Sequence, residues 1–177
     1  RCSQPIWLTV WVPSDVKAGT YKSLLTVSAE GLEPLSLPFE VKVVNRTLPS
    51  PQDWKFDLDL WQNPYAVARY YQVPLWSKEH FDAMRPIMKM LANAGQKAIT
   101  ASIMHKPWNG QTEDHFDSMV TRIKKLDGSW EFGYAAFDKW VEFMTEDIGL
   151  KGLISCYTMI PWALNFDYYD EATNRVV

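Results

Sequence analysis

Cysteine is scarce in this chain of 177 residues: there are two, Cys2 and Cys156, far apart in sequence. That excludes a disulfide framework and a cysteine-rich metal site. Cys156 lies in a strongly apolar run and is expected to be a buried free thiol. Net charge is also small, -3 from 18 Lys and Arg against 21 Asp and Glu. The densest basic group, Arg122, Lys124 and Lys125, is short, so nucleic acid is not an expected partner. No apolar run is long enough to span a bilayer. No glycine-rich phosphate loop follows a strand-like run, and no serine nucleophile elbow occurs. His80, His105 and His115 lack metal-ligand spacing, so neither a metal nor a cofactor is expected.

Aromatic residues are abundant, with nine Trp, eight Tyr and eight Phe. They fit a large core. They also fit sugar binding, since the apolar face of a pyranose stacks on aromatic rings. Asn45-Arg46-Thr47 is a glycosylation sequon of the kind that arises often by chance.

The first part of the chain alternates with period two. Ile6, Leu8, Val10 and Val12 predict a strand over 5–12. Tyr21 to Ala29 and Leu35 to Val43 predict two more, with a turn at Glu30-Gly31. Three such strands predict an antiparallel β-sandwich, with Pro38 favouring an edge. Three strands leave a sheet face uncovered, so residues 1–48 are expected to be the C-terminal strands of a sandwich that begins earlier.

Leu48-Pro49-Ser50-Pro51 opens a stiff linker over 49–53, and the pattern changes after it. Trp54 to Trp61 reads as a strand, and the following stretch to Trp76 as a loop. Ser77 caps a helix carrying Phe81, Met84, Ile87, Met88 and Leu91, kinked by Pro86 and stopped at Gly95. Lys97 to Met104 reads as a buried strand. Residues 105–133 form an irregular insertion with a short hairpin around Asp127-Gly128. A helix over 134–148, ended by Gly149, precedes a third buried strand over 152–160. Asp170 to Asn174 reads as a hairpin turn into a final strand that has just begun. Alternating strands and helices predict parallel pairing. The long segments after each strand favour the first part of a (β/α)8 TIM barrel over 54–177, truncated at its end, rather than an open doubly wound sheet.

In a barrel, functional groups gather at the C-terminal ends of strands. Asp57, Asp59 and Trp61 share one strand face, with Asp57 deeper and structural. Asp59 is placed to bind a hydroxyl, and binding is preferred over catalysis for this carboxylate pair. The second strand ends at His105-Lys106-Pro107-Trp108; a lone histidine there is more often structural, yet His105 is placed to donate to a sugar and Trp108 to stack. The third carries Tyr157 and Trp162. Asp170-Glu171 reads as a solvated hairpin tip.

Phe56 to Pro64, Leu126 to Phe132 with Phe137 to Val141, and the run from Pro13 to Val44 together resemble glycoside hydrolase family 123, over the whole chain. The resemblance implies a β-sandwich, a (β/α)8 barrel and hydrolysis of β-linked N-acetylgalactosamine. It implies a retaining, substrate-assisted reaction: the substrate's acetamido oxygen attacks, an Asp orients it, and an adjacent Glu is the acid/base. Asp170-Glu171 has those letters away from a strand end, so no catalytic residue is assigned and the chain alone is expected to be inactive. The expected partner is a glycan containing N-acetylhexosamine, and the resemblance implies a secreted or periplasmic protein. The alternatives are a noncatalytic glycan-binding module and a structural domain whose aromatics only fill a core.

Overall fold

The computed structural model describes residues 3–107, 112–113, 117–157 and 166–177. The chain divides into two compact units, Arg1–Pro49 and Ser50–Val177.

In the first unit, β1 (Gly19–Val27) and β2 (Leu35–Val43) form an antiparallel hairpin with Gly19 opposite Val43 and Val27 opposite Leu35. The alternation works as written. Leu25, Val27, Phe39, Val41 and Val43 are half-buried on one face. The other face carries polar cross-strand pairs, Lys22 with Glu40 at 3.6 Å and Thr26 with Ser36 at 3.0 Å. The strand expected over 5–12 does not form: Trp7 and Trp11 are 91% and 87% exposed. Alternation writes a face, but a strand also needs a neighbouring backbone, and no described residue pairs with this segment. The expected three strands are therefore two.

The second unit is built on a parallel seam. Its elements are a 3-10 turn (Pro51–Asp53), α1 (Pro64–Tyr71), α2 (Lys78–Asn93), β3 (Ile99–Ser102), β4 (Thr121–Lys124), β5 (Trp130–Gly133), α3 (Ala135–Glu142) running into a π turn (Phe143–Asp147), β6 (Ile154–Tyr157), β7 (Tyr169–Asp170) and β8 (Arg175–Val176). β3 and β6 pair in parallel, Ile99 with Ile154 through Ser102 with Tyr157.

The segment before α1 joins the seam differently. The strand expected over 54–61 reduces to one parallel bridge, Leu58 with Gln96. Two buried glutamine side chains replace the missing ladder. Gln96 Oε1 accepts from the Leu60 N–H at 2.8 Å while its Nε2 donates to the Ala98 carbonyl at 2.6 Å. Gln62 Oε1 accepts from the Thr100 N–H at 2.7 Å, and its Nε2 donates to the Leu60 and Ala98 carbonyls. A primary amide carries both a donor and an acceptor, so it serves as a short length of extra backbone.

The core lies against this seam. Met84, Met88 and Ala92 of α2 meet Ile99 and Ala101 of β3, Trp140 of α3, and Phe143 and Met144 of the π turn. Trp140 is fully buried and its Nε1 donates to the Thr100 carbonyl at 3.0 Å. Each large apolar side chain so buried stabilises the fold by about 1.5–3 kcal/mol. Both helices follow their apolar stripes, and Ser77 caps α2 by accepting from the His80 N–H at 3.2 Å. The helix runs unbroken through Pro86. Gly95 and Gly149 follow the two helices with positive φ.

α1 falls where a loop is expected. Its start signal is present in the sequence: Asn63 accepts from the Ala66 N–H at 3.1 Å, and Pro64 occupies the first helical position. The expected buried thiol is also corrected. Cys156 is exposed, as are Leu153 and Ile154, because no described element covers that side of β6.

The insertion supplies two strands of a four-stranded sheet ordered β5-β4-β7-β8. β4 and β5 make the expected hairpin, with Asp127 accepting from the Ser129 N–H at 2.9 Å. β7 and β8 make the second expected hairpin, and β7 pairs with β4 in parallel. Among the described residues, no helix is long and apolar enough to cross a membrane.

Gly152 shows how tightly the seam closes: an added Cβ would sit 1.7 Å from the Lys97 carbonyl oxygen. Gly152→Ala is expected to lower the urea midpoint by the equivalent of about 1–3 kcal/mol or more. A midpoint matching wild type refutes this close approach.

His80 yields a pH prediction. It is fully buried, its Nδ1 accepts from the Trp76 N–H at 3.0 Å, and its Nε2 donates to the Pro64 carbonyl at 2.8 Å. That pairing holds the neutral ring, and burial pushes its pKa down. The unfolded state therefore binds the extra proton more readily. The neutral ring's contribution is complete above the unfolded value of about 6.5 and is lost as pH falls from there toward the depressed folded value. Thermal melts from pH 7.5 to 5 should show a falling midpoint, and His80→Gln should flatten that slope. An equal slope in both proteins rejects the assignment.

Candidate functional site

Two clusters form where the seam's strands end. The first joins the Leu58–Gln62 segment to β6. Trp61 meets Tyr157 edge to face, with ring centroids 5.8 Å apart. Asp59 lies close enough for its charge to act on the Tyr157 phenol, whose pKa is raised first by burial and then by that carboxylate. Trp61 remains 62% exposed, so ring surface is open to a ligand beside an exposed carboxylate and a phenol. Three of the expected residues, Asp59, Trp61 and Tyr157, are thus brought together by the parallel register.

Asp57 is not deeper than Asp59. Its side chain is 82% exposed, and Lys97 Nζ stands 3.7 Å away while also donating to the Trp54 carbonyl. The pair fastens the segment at the surface. The inward strand face expected for Asp57 fails because the segment is held by side-chain amides rather than by a regular ladder.

The second cluster follows β3. His105 sits between two carboxylates: Nδ1 is 3.0 Å from Asp117 Oδ1, and Nε2 is 3.2 Å from Asp167 Oδ2. Both ring nitrogens already face a carboxylate, so the sugar hydroxyl that His105 is expected to meet would compete with Asp117 and Asp167. Asp117 is fixed further by Tyr65, whose hydroxyl donates to its backbone carbonyl at 2.6 Å. Burial, and then the Asp117 charge, hold the Tyr65 phenol far above its usual pKa.

Arg122 of β4 closes this cluster from the other side. Its guanidinium donates to the Ile103 carbonyl, to Met104 Sδ at 3.2 Å and to Ser118 Oγ at 3.0 Å, with its centre 5.5 Å from the Phe166 ring centroid. Burial lowers its pKa. An open cavity of about 300 Å3 lies among His105, Asp117, Arg122, Asp167, Tyr168 and neighbours.

Asp117, Asp167 and Arg122 carry no local sequence signal for this role. They lie in the insertion and beyond the third strand, and only folding brings them to His105. Trp108 and Trp162, and also His115, lie outside the described residues. Asp170 and Glu171 form a tied turn rather than a solvated tip. Asp170 accepts from the Ala172 N–H at 3.0 Å; Glu171 pairs with Lys125 and accepts from the Leu126 N–H at 3.2 Å. No group of three or more metal-ligating side chains that could hold an ion occurs among the described residues.

The Asp59–Tyr157 proximity has a spectroscopic consequence. Asp59→Asn removes the smaller of the two causes that raise the phenol, so Tyr157 should titrate at lower pH while staying above an ordinary tyrosine. NMR of ring-labelled tyrosine, assigned by Tyr157→Phe, reads the shift. An unmoved titration curve separates the two groups.

Residues 61–177 match the family model for the glycoside hydrolase 123 catalytic domain. No curated protein matches the chain. Among solved structures, a family 123 glycoside hydrolase from Clostridium perfringens, described for the details of glycolipid glycan hydrolysis, matches with a TM-score of 0.87 at 33% identity. The match covers 93% of this chain and 30% of that one, so the chain spans under a third of that enzyme's length. With a family model matched over most of its length and a solved member at this identity, the chain belongs to glycoside hydrolase family 123.

Proposed function

We propose that this chain supplies part of the sugar-binding face of an enzyme that hydrolyses glycans containing β-linked N-acetylgalactosamine. The reaction is retaining and substrate-assisted, with the substrate's acetamido oxygen as nucleophile. Family membership supports the reaction class. The observation that carries the site is the convergence of Asp59, Trp61 and Tyr157: an open indole face, an acceptor and a phenolic donor within one patch. Trp108 and Trp162 belong to the same proposal by their positions after the second and third strands.

The acid/base pair of this mechanism is not assigned to a described residue. Asp170 and Glu171 are spent on their turn and on Lys125. The architecture proposed with this function is the end of a β-sandwich over 1–48, a linker over 49–53 and the first part of a (β/α)8 barrel over 54–177. Support for the barrel is the alternation of the 58–62 segment, α2, β3, α3 and β6, with parallel links on both sides of β3. A noncatalytic glycan-binding module would use the same patch.

Trp61→Ala is expected to weaken N-acetylgalactosamine binding roughly tenfold, the loss of one stacked ring. Titration calorimetry on the 177-residue chain measures it, and an unchanged affinity removes the patch from the sugar site. Turnover of a chromogenic N-acetyl-β-galactosaminide by this chain would rule out the noncatalytic module; the proposal expects none, since no acid/base pair is assigned to its described residues.

A further inference from the structure

The two compact units are joined by chain that belongs to no element. β2 ends at Val43, and the 3-10 turn begins at Pro51. Residues 44–50 between them lie outside every helix and strand, and all are exposed. Early in this stretch the Arg46 N–H donates to the Val44 carbonyl at 2.8 Å, a bond that bends the chain at Asn45 and ties it to nothing else. A cavity of about 290 Å3, lined by Val12, Pro13 and Val16 and by Asn45, Arg46 and Thr47, leaves clearance beside the segment. Pro49 and Pro51 have no N–H to give to a ladder, so the chain that follows stays unpaired.

A protease takes its substrate as an extended strand, so an exposed segment with few backbone bonds is where a folded chain is cut first. Arg46 adds the recognition element. Its guanidinium has no ion pair among the described residues, and a specificity pocket closed by a carboxylate takes such a side chain. An enzyme that cuts after large apolar residues meets Leu48 instead, and the following Pro49 blocks that bond.

The other basic residues are guarded. Most lie inside helices or paired strands. Of those outside, Lys17 gives its carbonyl to the Tyr21 hydroxyl at 2.8 Å, and Lys55 is flanked by Trp54 and Phe56, whose rings stack with centroids 5.6 Å apart. Lys97 and Lys125 donate their backbone N–H groups to the Leu58 and Ser129 carbonyls. Lys106 precedes Pro107, and Lys151 precedes Gly152, whose backbone lies against the Lys97 carbonyl. Arg1 lies outside the described residues. Apart from Lys106, where proline blocks the bond, these sites must open native contacts before a protease can bind them.

We propose that the Arg46–Thr47 bond is a processing site for an arginine-directed serine endopeptidase, cut ahead of every other basic site described in the folded chain. Water adds across the amide. The C–N bond breaks, the carbonyl carbon takes the water oxygen, and the products carry a new carboxylate on Arg46 and a new ammonium on Thr47. The cut falls just before Pro49, where the first compact unit ends. It therefore parts the two units and leaves every helix and strand whole. Asp59, Trp61 and Tyr157 all stay on the second product.

The test digests the folded 177-residue chain with trypsin at a low enzyme ratio and follows intact mass over time. The first products are expected to be residues 1–46 and 47–177, formed roughly tenfold faster than any later cut. Arg46→Gln removes the recognised side chain, and Thr47→Pro keeps that side chain while blocking the bond. Both positions are exposed, and melting temperatures matching wild type identify the variants that remain folded. Both variants are expected to lose the first cut. A first cut at another basic residue overturns the assignment, as does a cut after Arg46 no faster than the rest. A folded chain that stays intact while the urea-unfolded chain is digested overturns it too.

Discussion

The second unit depends on one buried arrangement, the amide seam of Gln62, Gln96 and Thr100. These side chains hold the 58–62 segment beside β3 where a regular ladder is missing. All three are nearly inaccessible to solvent, so every unmade bond would cost about 1–3 kcal/mol. The seam closes its own accounts: each amide oxygen accepts and each amide nitrogen donates. Trp140 adds a donor to the Thr100 carbonyl, which locks α3 onto the same strand. Without this arrangement Asp59 and Trp61 would hang from an untethered segment. With it they arrive beside Tyr157.

Features written in local chemistry were legible in the sequence. The Ser77 cap, the apolar stripes of α2 and α3, the Asp127-Gly128 hairpin and the 169–176 hairpin follow from side-chain period and turn residues. What failed was whatever needed a neighbour. Residues 5–12 alternate well yet have no described strand to pair with. Trp54 to Trp61 reads as a strand, but glutamines at 62 and 96 take over its hydrogen bonding, and no period reveals that. Cys156 sits in an apolar run whose face is left uncovered among the described residues. α1 is the contrary case: it forms where a loop is expected, although Asn63-Pro64 is a helix-start signal in the sequence.

The sites divide along the same line. The proximity of Asp59, Trp61 and Tyr157 was legible because strand ends in a parallel sheet share one edge, and position at an end is visible in sequence. The carboxylate neighbours of His105 were not. A histidine after a strand carries the same signal whether its nitrogens face a ligand or two carboxylates. Here Asp117 lies in the insertion and Asp167 just before β7, so both partners are products of tertiary structure.

Parallel topology also explains why two polar clusters lie at one edge. Ser102 pairs with Tyr157 in register, so the chain leaving β3 toward His105 departs beside the end of β6. The 58–62 segment runs in the same direction, held through Gln96 and Thr100. Three chain directions therefore agree, and each delivers its side chains to the same side. The insertion does not interrupt this order: β4 carries Arg122 back to the Ile103 carbonyl, and β7 pairs with β4 to bring Asp167 toward His105. A change in Arg122 would act through the placement of β4 rather than through lost charge at a ligand. Its donors are spent on backbone, sulfur and hydroxyl groups, so the small sheet keeps its station by hydrogen bonding to the seam.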